Sequence, residues 1–189
     1  MRQGTSGSSS GQSAVLPAGL FSAPVAAPVL VLGIGNLLLG DEGVGIRVVE
    51  NLTARYALPP EVEALDGGTM GMALLPYLAG RRLLILLDAV RTGAAPGTVV
   101  QRELADPAAF FREKISPHQI GIAEVLSVAM LTNELPVRIL LIGVVPREMA
   151  TGLALSPEIA AMLPVMADMV AAELRAAGFS LTRRESTGE

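Results

Sequence analysis

Apolar residues in this chain follow two rhythms. Short runs, Pro28–Gly33, Glu61–Leu65, Leu83–Leu87 and Val137–Val144, have the length of strands, and Leu83–Leu87 is apolar throughout, as strands buried on both faces are. Between them apolar positions recur every three or four residues, as on one face of a helix. Gly45, Val48, Val49, Leu52 and Tyr56 line one side of a helix expected over about Gly43–Tyr56, with Arg47, Glu50, Asn51 and Arg55 opposite and Pro59-Pro60 as its stop. A short helix is expected over Met70–Leu78. Ser116-Pro117-His118-Gln119 reads as a helix start, with Ser116 as cap, Pro117 in the first helical position and Gln119 as capping-box partner. The helix it opens runs to about Met130 and buries Ile122, Val125, Leu126 and Ala129. Ser156-Pro157 repeats the signature, with Ile159, Leu163, Met166, Val170 and Leu174 as the apolar face and Gly178 as the close.

Strands alternating with helices imply βαβ crossovers and a parallel sheet. Pro96-Gly97 introduces one further strand, Thr98–Glu103, after a connection too short for a helix. It is therefore expected at an edge, antiparallel to Leu83–Leu87. The fold class is α/β: a three-layer α/β/α arrangement with a five-stranded, mostly parallel twisted sheet and one antiparallel edge strand. The domain spans 28–178. Residues 1–27, rich in Ser, Gly, Ala and Pro, read as a flexible extension, and 179–189 as a polar tail.

Composition narrows the possibilities. The 189 residues, 51% hydrophobic, suit one core and one domain. A net charge of -4 and a pI near 5.1 argue against a nucleic-acid groove, which needs clustered Lys and Arg; Arg183-Arg184 reads as a solvated end. No cysteine is present, which excludes disulfides, thiolate metal sites and a cysteine nucleophile, and fits a reducing cytoplasm. Mean hydropathy is +0.52, but the apolar runs are far short of the roughly 20 residues of a membrane-spanning helix, so no membrane insertion is expected.

Charge placement supplies the candidate chemistry. After Arg2 no charge appears until Asp41-Glu42, at the turn between the first strand and the first helix. Asp66 ends the second strand, Asp88 the third, and His118, the one histidine in the chain, opens a later helix. In a parallel sheet these strand ends share one edge, where ligands of open α/β sheets gather. Each residue also has a structural explanation: Asp41 as a helix cap, Glu42 favoured by the helix dipole, Asp66 in an Asx turn, His118 as a core histidine. Asp88 resists one best, because a carboxylate after five apolar residues must find a partner or water. Glu42, Asp88 and His118 are an oxygen, oxygen, nitrogen set suited to a divalent transition metal bound weakly when alone. An aspartic dyad of Asp66 and Asp88 is a second option. Nucleotide binding is a third: Gly33-x-Gly35 follows a strand, and Asp66 could hold a ribose, but Leu38 occupies the third glycine position and two acids stand at the loop's mouth. No Gly-x-Ser-x-Gly elbow occurs.

In order, Gly33-x-Gly35-Asn36-x-Leu38-x-x-Asp41-Glu42-Gly43-x-Gly45, Asp66-Gly67-Gly68-Thr69-x-Gly71, Asp88-Ala89 and Ser116-x-His118-Gln119 resemble the [NiFe]-hydrogenase maturation endopeptidases, from about Pro28 to Gly178. Pro96-Gly97-Thr98 and the segment from Gly143 to Pro146 fit as well. The resemblance implies an endopeptidase that removes a C-terminal extension from the hydrogenase large-subunit precursor after nickel insertion. It implies that Glu42, Asp88 and His118 contact the nickel, which the substrate carries, and that Asp66 contributes to activity. No permanently bound cofactor and a monomer are expected. Asp41 then becomes a structural partner of Glu42. A nucleotide-binding enzyme would instead bind NAD or ATP saturably, and a non-catalytic chaperone would bind the precursor without any loss of mass.

Overall fold

The computed structural model describes residues 27–107 and 119–184. Strands β1 (Val29–Ile34), β3 (Val62–Gly68), β4 (Leu83–Ala89), β5 (Val99–Glu103) and β6 (Arg138–Val144) form one sheet in the order β3-β1-β4-β6-β5. The first four are mutually parallel and β5 is antiparallel, at the edge. β1 and β4 are buried along their whole length, which is why their sequences are continuous apolar runs rather than alternating ones.

Two helical layers enclose the sheet. Helices α1 (Val44–Arg55), α4 (Pro157–Ala160) and α5 (Leu163–Ala176) cover the face carrying Val31, Ile85, Leu87 and Ile142. Helices α2 (Leu75–Leu78) and α3 (Gln119–Leu131) cover the face carrying Leu32, Leu84, Leu86 and Leu141. The expected stripe of α3, Ile122, Val125, Leu126 and Ala129, is buried at every position. Each of the larger three, Ile122, Val125 and Leu126, contributes about 1.5–3 kcal/mol.

Four details depart from the periodicity. β5 is antiparallel as expected, but it lies beside β6, with β6 between it and β4. Backbone bonds from Gly97 N to Val145 O and from Val145 N to Thr98 O fix that pairing; wholly apolar β4 instead gains a parallel neighbour on each side. The expected turn at Asp66-Gly67-Gly68 is still strand. Gly33 pairs with Asp66 and Ile34 with Gly68, so Gly67 is an extra residue in a bulge, and β3 runs on past Leu65. The expected last helix is divided at Ala161-Met162, because Pro164 has no N–H to give the preceding turn and starts α5 instead. Finally, Tyr56 leaves the first helix to form β2 (Tyr56–Ala57), paired antiparallel with β7 (Thr182–Arg183) from the expected polar tail. Among the described residues no helix is long and apolar enough to cross a membrane.

Candidate active site at the carboxyl edge of the sheet

The loop leaving β1 is compressed against its neighbours by its glycines. A Cβ on Gly45 would lie 2.1 Å from the carbonyl oxygen of Leu87 and 2.4 Å from that of Ile34, so α1 rests directly on the ends of β1 and β4. Gly35, at φ +136°, is held so close to the next turn that a Cβ would lie 1.9 Å from the carbonyl oxygen of Glu42. Backbone fills the space a phosphate cradle would need, which removes the support for the dinucleotide reading.

Between β1 and α1 a single 3-10 turn, Gly40–Gly43, carries Asp41 and Glu42, which are 1% and 5% exposed. Asp41 does not cap its own helix. Its Oδ2 accepts from the backbone N–H groups of Arg147 (2.9 Å) and Glu148 (3.2 Å) and from the Ser156 hydroxyl (3.0 Å). Its Oδ1 accepts from the N–H of Ser156 (2.7 Å). Ser156, at the N-cap position of α4 as expected, thus turns its hydroxyl to Asp41 rather than to its own helix. Reciprocal bonds between Gly40 N and Gly152 O (2.8 Å) and between Gly152 N and Leu38 O (2.9 Å) join the same two loops. The exit loops of β1 and β6 are therefore fastened together across β4, the strand that lies between them.

That middle strand carries Asp88. It lies within β4 rather than past its end, is fully buried, and its Oδ1 accepts from the N–H of Ala89 at 2.7 Å. The sequence expectation is that Asp88 finds a partner or reaches water, and the Ala89 N–H is one such partner. The partner strand residue is Gly143, whose missing side chain lets Val90 pack over it: a Cβ there would lie 2.6 Å from Val90 Cγ1. The turn bearing Glu42 packs on β4, and α1 begins over Leu87, so Glu42 lies beside the end of the strand that carries Asp88.

Asp66 is placed differently. It lies on edge strand β3, separated from β4 by β1, and is exposed. Gly33 is level with both Asp66 and Leu87, so Asp66 and Asp88 project from opposite faces of the sheet, which argues against a proton-sharing dyad. His118 lies outside the described residues, as do Ser116 and Pro117; α3 is described from Gln119, the next residue. Among the described residues no three His, Asp or Glu side chains are grouped as metal ligands would be.

Beside this edge is a pocket of about 190 Å³. Ile34, Leu74 and Ile122 form its apolar walls, Gly68, Gly71 and Gly121 its narrow sides, and Thr69 completes the lining. Sequence reasoning missed the pocket and the Asp41 clamp. The only sequence signal for the clamp was a carboxylate next to a better candidate, together with a second Ser-Pro cap.

Comparison with known proteins gives a consistent result. A family model described as hydrogenase maturation protease (HycI) matches residues 46–173. The hydrogenase 2 maturation protease of Escherichia coli (strain K12) is 45% identical over 159 residues, covering 84% of this chain and 97% of the relative. The hydrogenase expression/formation protein HupD of Rhodobacter capsulatus is 43% identical over 157 residues, covering 82% and 75%. The solved structure of the hydrogenase maturating endopeptidase HybD from E. coli superposes with a TM-score of 0.80 at 44% identity, covering 84% of this chain and 99% of that one. With this fold and relatives of this similarity over three quarters or more of their length, the chain belongs to the hydrogenase maturation protease family and is an endopeptidase.

Proposed function

We propose that this endopeptidase removes the C-terminal extension of a [NiFe]-hydrogenase large-subunit precursor, acting in the cytoplasm as a monomer after nickel has been inserted. The nickel is part of the substrate. Glu42, Asp88 and His118 are the residues that meet it, and the packing of the turn bearing buried Glu42 against β4, the strand that carries buried Asp88, is the observation that supports the reading. Two carboxylates and an imidazole are donors a divalent transition metal accepts. The first turn of α3 stands at the same edge of the sheet: a Cβ on Gly121 would lie 3.6 Å from Gly71 Cα, just past the end of β3. His118 precedes that turn directly in sequence, which supports its inclusion.

Contact with the substrate's nickel would bring the scissile peptide to the mouth of the site. A metal-polarised carbonyl or metal-activated water would then assist hydrolysis. Asp66, being exposed to solvent, is the candidate for moving a proton to or from the departing segment.

The test is to incubate the protein with nickel-loaded and nickel-free precursor and follow the large subunit by mass spectrometry. Loss of a C-terminal peptide only from the loaded form is expected, and a His118→Ala variant should lower that rate by about 100-fold or more at unchanged thermal midpoint. Equal cleavage of both precursors, or full activity in the variant, would overturn the assignment.

A further inference from the structure

The pocket beside the site has no part in the chemistry above, and its construction has the character of a specificity pocket. At about 190 Å³ it exceeds the roughly 150 Å³ of a cavity known to take a benzene ring. Ile34, Leu74 and Ile122 present only hydrocarbon to it, and among the described residues no charged side chain lines it. Glycine shapes one side: a Cβ on Gly121 would lie 3.6 Å from Gly71 Cα, so a large side chain there would fill the gap. The pocket is also continuous with the acidic turn through backbone. Gly68 accepts a 3.1 Å hydrogen bond from Gly35 N–H, and Gly35 abuts the carbonyl of Glu42. A Cβ on Gly68 would lie 3.5 Å from Asp66 Oδ1, which puts the pocket wall against the candidate proton-transfer group.

We infer that this pocket binds one aliphatic side chain of the precursor, from a residue flanking the scissile bond, and so contributes to choosing where the chain is cut. A charged side chain would lose hydration against Ile34, Leu74 and Ile122 without meeting an opposite charge among the described lining residues, so the pocket selects against it. The inference rests on the endopeptidase reading of the neighbouring site.

Gly121 offers a clean test, because the helix benefits from the substitution that fills the pocket. It lies in α3 with room for a Cβ at ordinary contact distance, and both Ala and Leu are better helix formers than Gly. Gly121→Leu should keep or raise the thermal midpoint while lowering kcat/KM for nickel-loaded precursor by about tenfold or more, and Gly121→Ala should lower it less. The substrate provides the complementary arm. Replacing the aliphatic residues around the cleaved bond by Ala, one at a time, should slow the wild-type enzyme at one position and leave Gly121→Leu no slower at that position. Unchanged kcat/KM in Gly121→Leu, or equal losses in both enzymes throughout the substrate series, would overturn the inference while leaving the endopeptidase reading intact. A wild-type enzyme that fails to cleave loaded precursor would remove that reading, and the inference with it.

Discussion

The two ends of the central sheet use charge in opposite ways. At the amino end, the buried Arg81 guanidinium has its partners built in: the carbonyls of Tyr77 and Ala27 and the Glu63 carboxylate. Backbone bonds from Arg82 to Pro28 and from Arg138 to Arg82 close the strand ends around it. Nearby, Arg55 and the Tyr56 hydroxyl hold Asp168 of α5, at 3.1 and 2.7 Å. At the carboxyl end one acid, Asp41, is used in the same way, and its four hydrogen bonds lash two loops together. Its neighbour Glu42 and Asp88 of β4 are buried at the same end of the sheet. The difference teaches that burial of charge does not by itself mark a site. A buried acid whose hydrogen-bond donors come from a distant loop, as those of Asp41 do, serves the architecture.

The sharpest way to break this comparison is to cut the tie between the two loops. Asp41→Ala leaves three backbone donors and a hydroxyl without their acceptor, and should cost about 2–4 kcal/mol in urea unfolding. It should also lower cleavage of loaded precursor per folded molecule, because the loops over β4 lose their fixed spacing. Stability loss with full activity would show that the clamp is remote from the chemistry. At the opposite end Arg81→Ala should cost about 1–3 kcal/mol, less than a fully buried pair would, because Glu63 is 37% exposed and can rehydrate. Activity per folded molecule should be unchanged; a fall in kcat/KM would mean that the two ends are not independent.

The smallest effect is pH-dependent. The Tyr56 hydroxyl, followed by Arg55, holds the Asp168 carboxyl below its ordinary value. A depressed carboxylate stabilises the folded state above its unfolded pKa of roughly 4, and that contribution fades as pH falls through the lower folded value. Because the Asp168 side chain is half exposed, Asp168→Asn should cost only up to about 0.5 kcal/mol at pH 7. The gap between wild type and variant should narrow below about pH 4 in paired urea titrations; a gap independent of pH would assign the bond to packing rather than charge.

Much of this was legible in order along the chain, for identifiable reasons. Leu83–Leu87 could be read as a central parallel strand because it has no polar face, and α3 could be read from four residues that all prove buried. Asp88 was recognisable because a charge following such a run has few places to go. What was hidden depends on residues distant in sequence. Nothing near Asp41 announces that its acceptors will be used 106 to 115 residues later. The bulge at Gly67, which prolongs β3 and makes Asp66 part of an edge strand, depends on register with β1.

The sequence by itself determined the α/β class, the run of buried strands, the helix faces and a family resemblance carried by the order of its glycine and acid motifs. These are local properties: periodicity, turn residues and the cost of burying charge act over a few residues at a time. Only the tertiary structure decided that β6 lies between β4 and β5 and that Asp66 and Asp88 face opposite ways. It alone showed that Asp41 fastens the loops leaving β1 and β6 across β4, and that Gly71 and Gly121, 50 residues apart in sequence, line one pocket near Asp66. Strand order, register and the meeting of distant loops depend on how whole surfaces pack, and no short window of residues contains them.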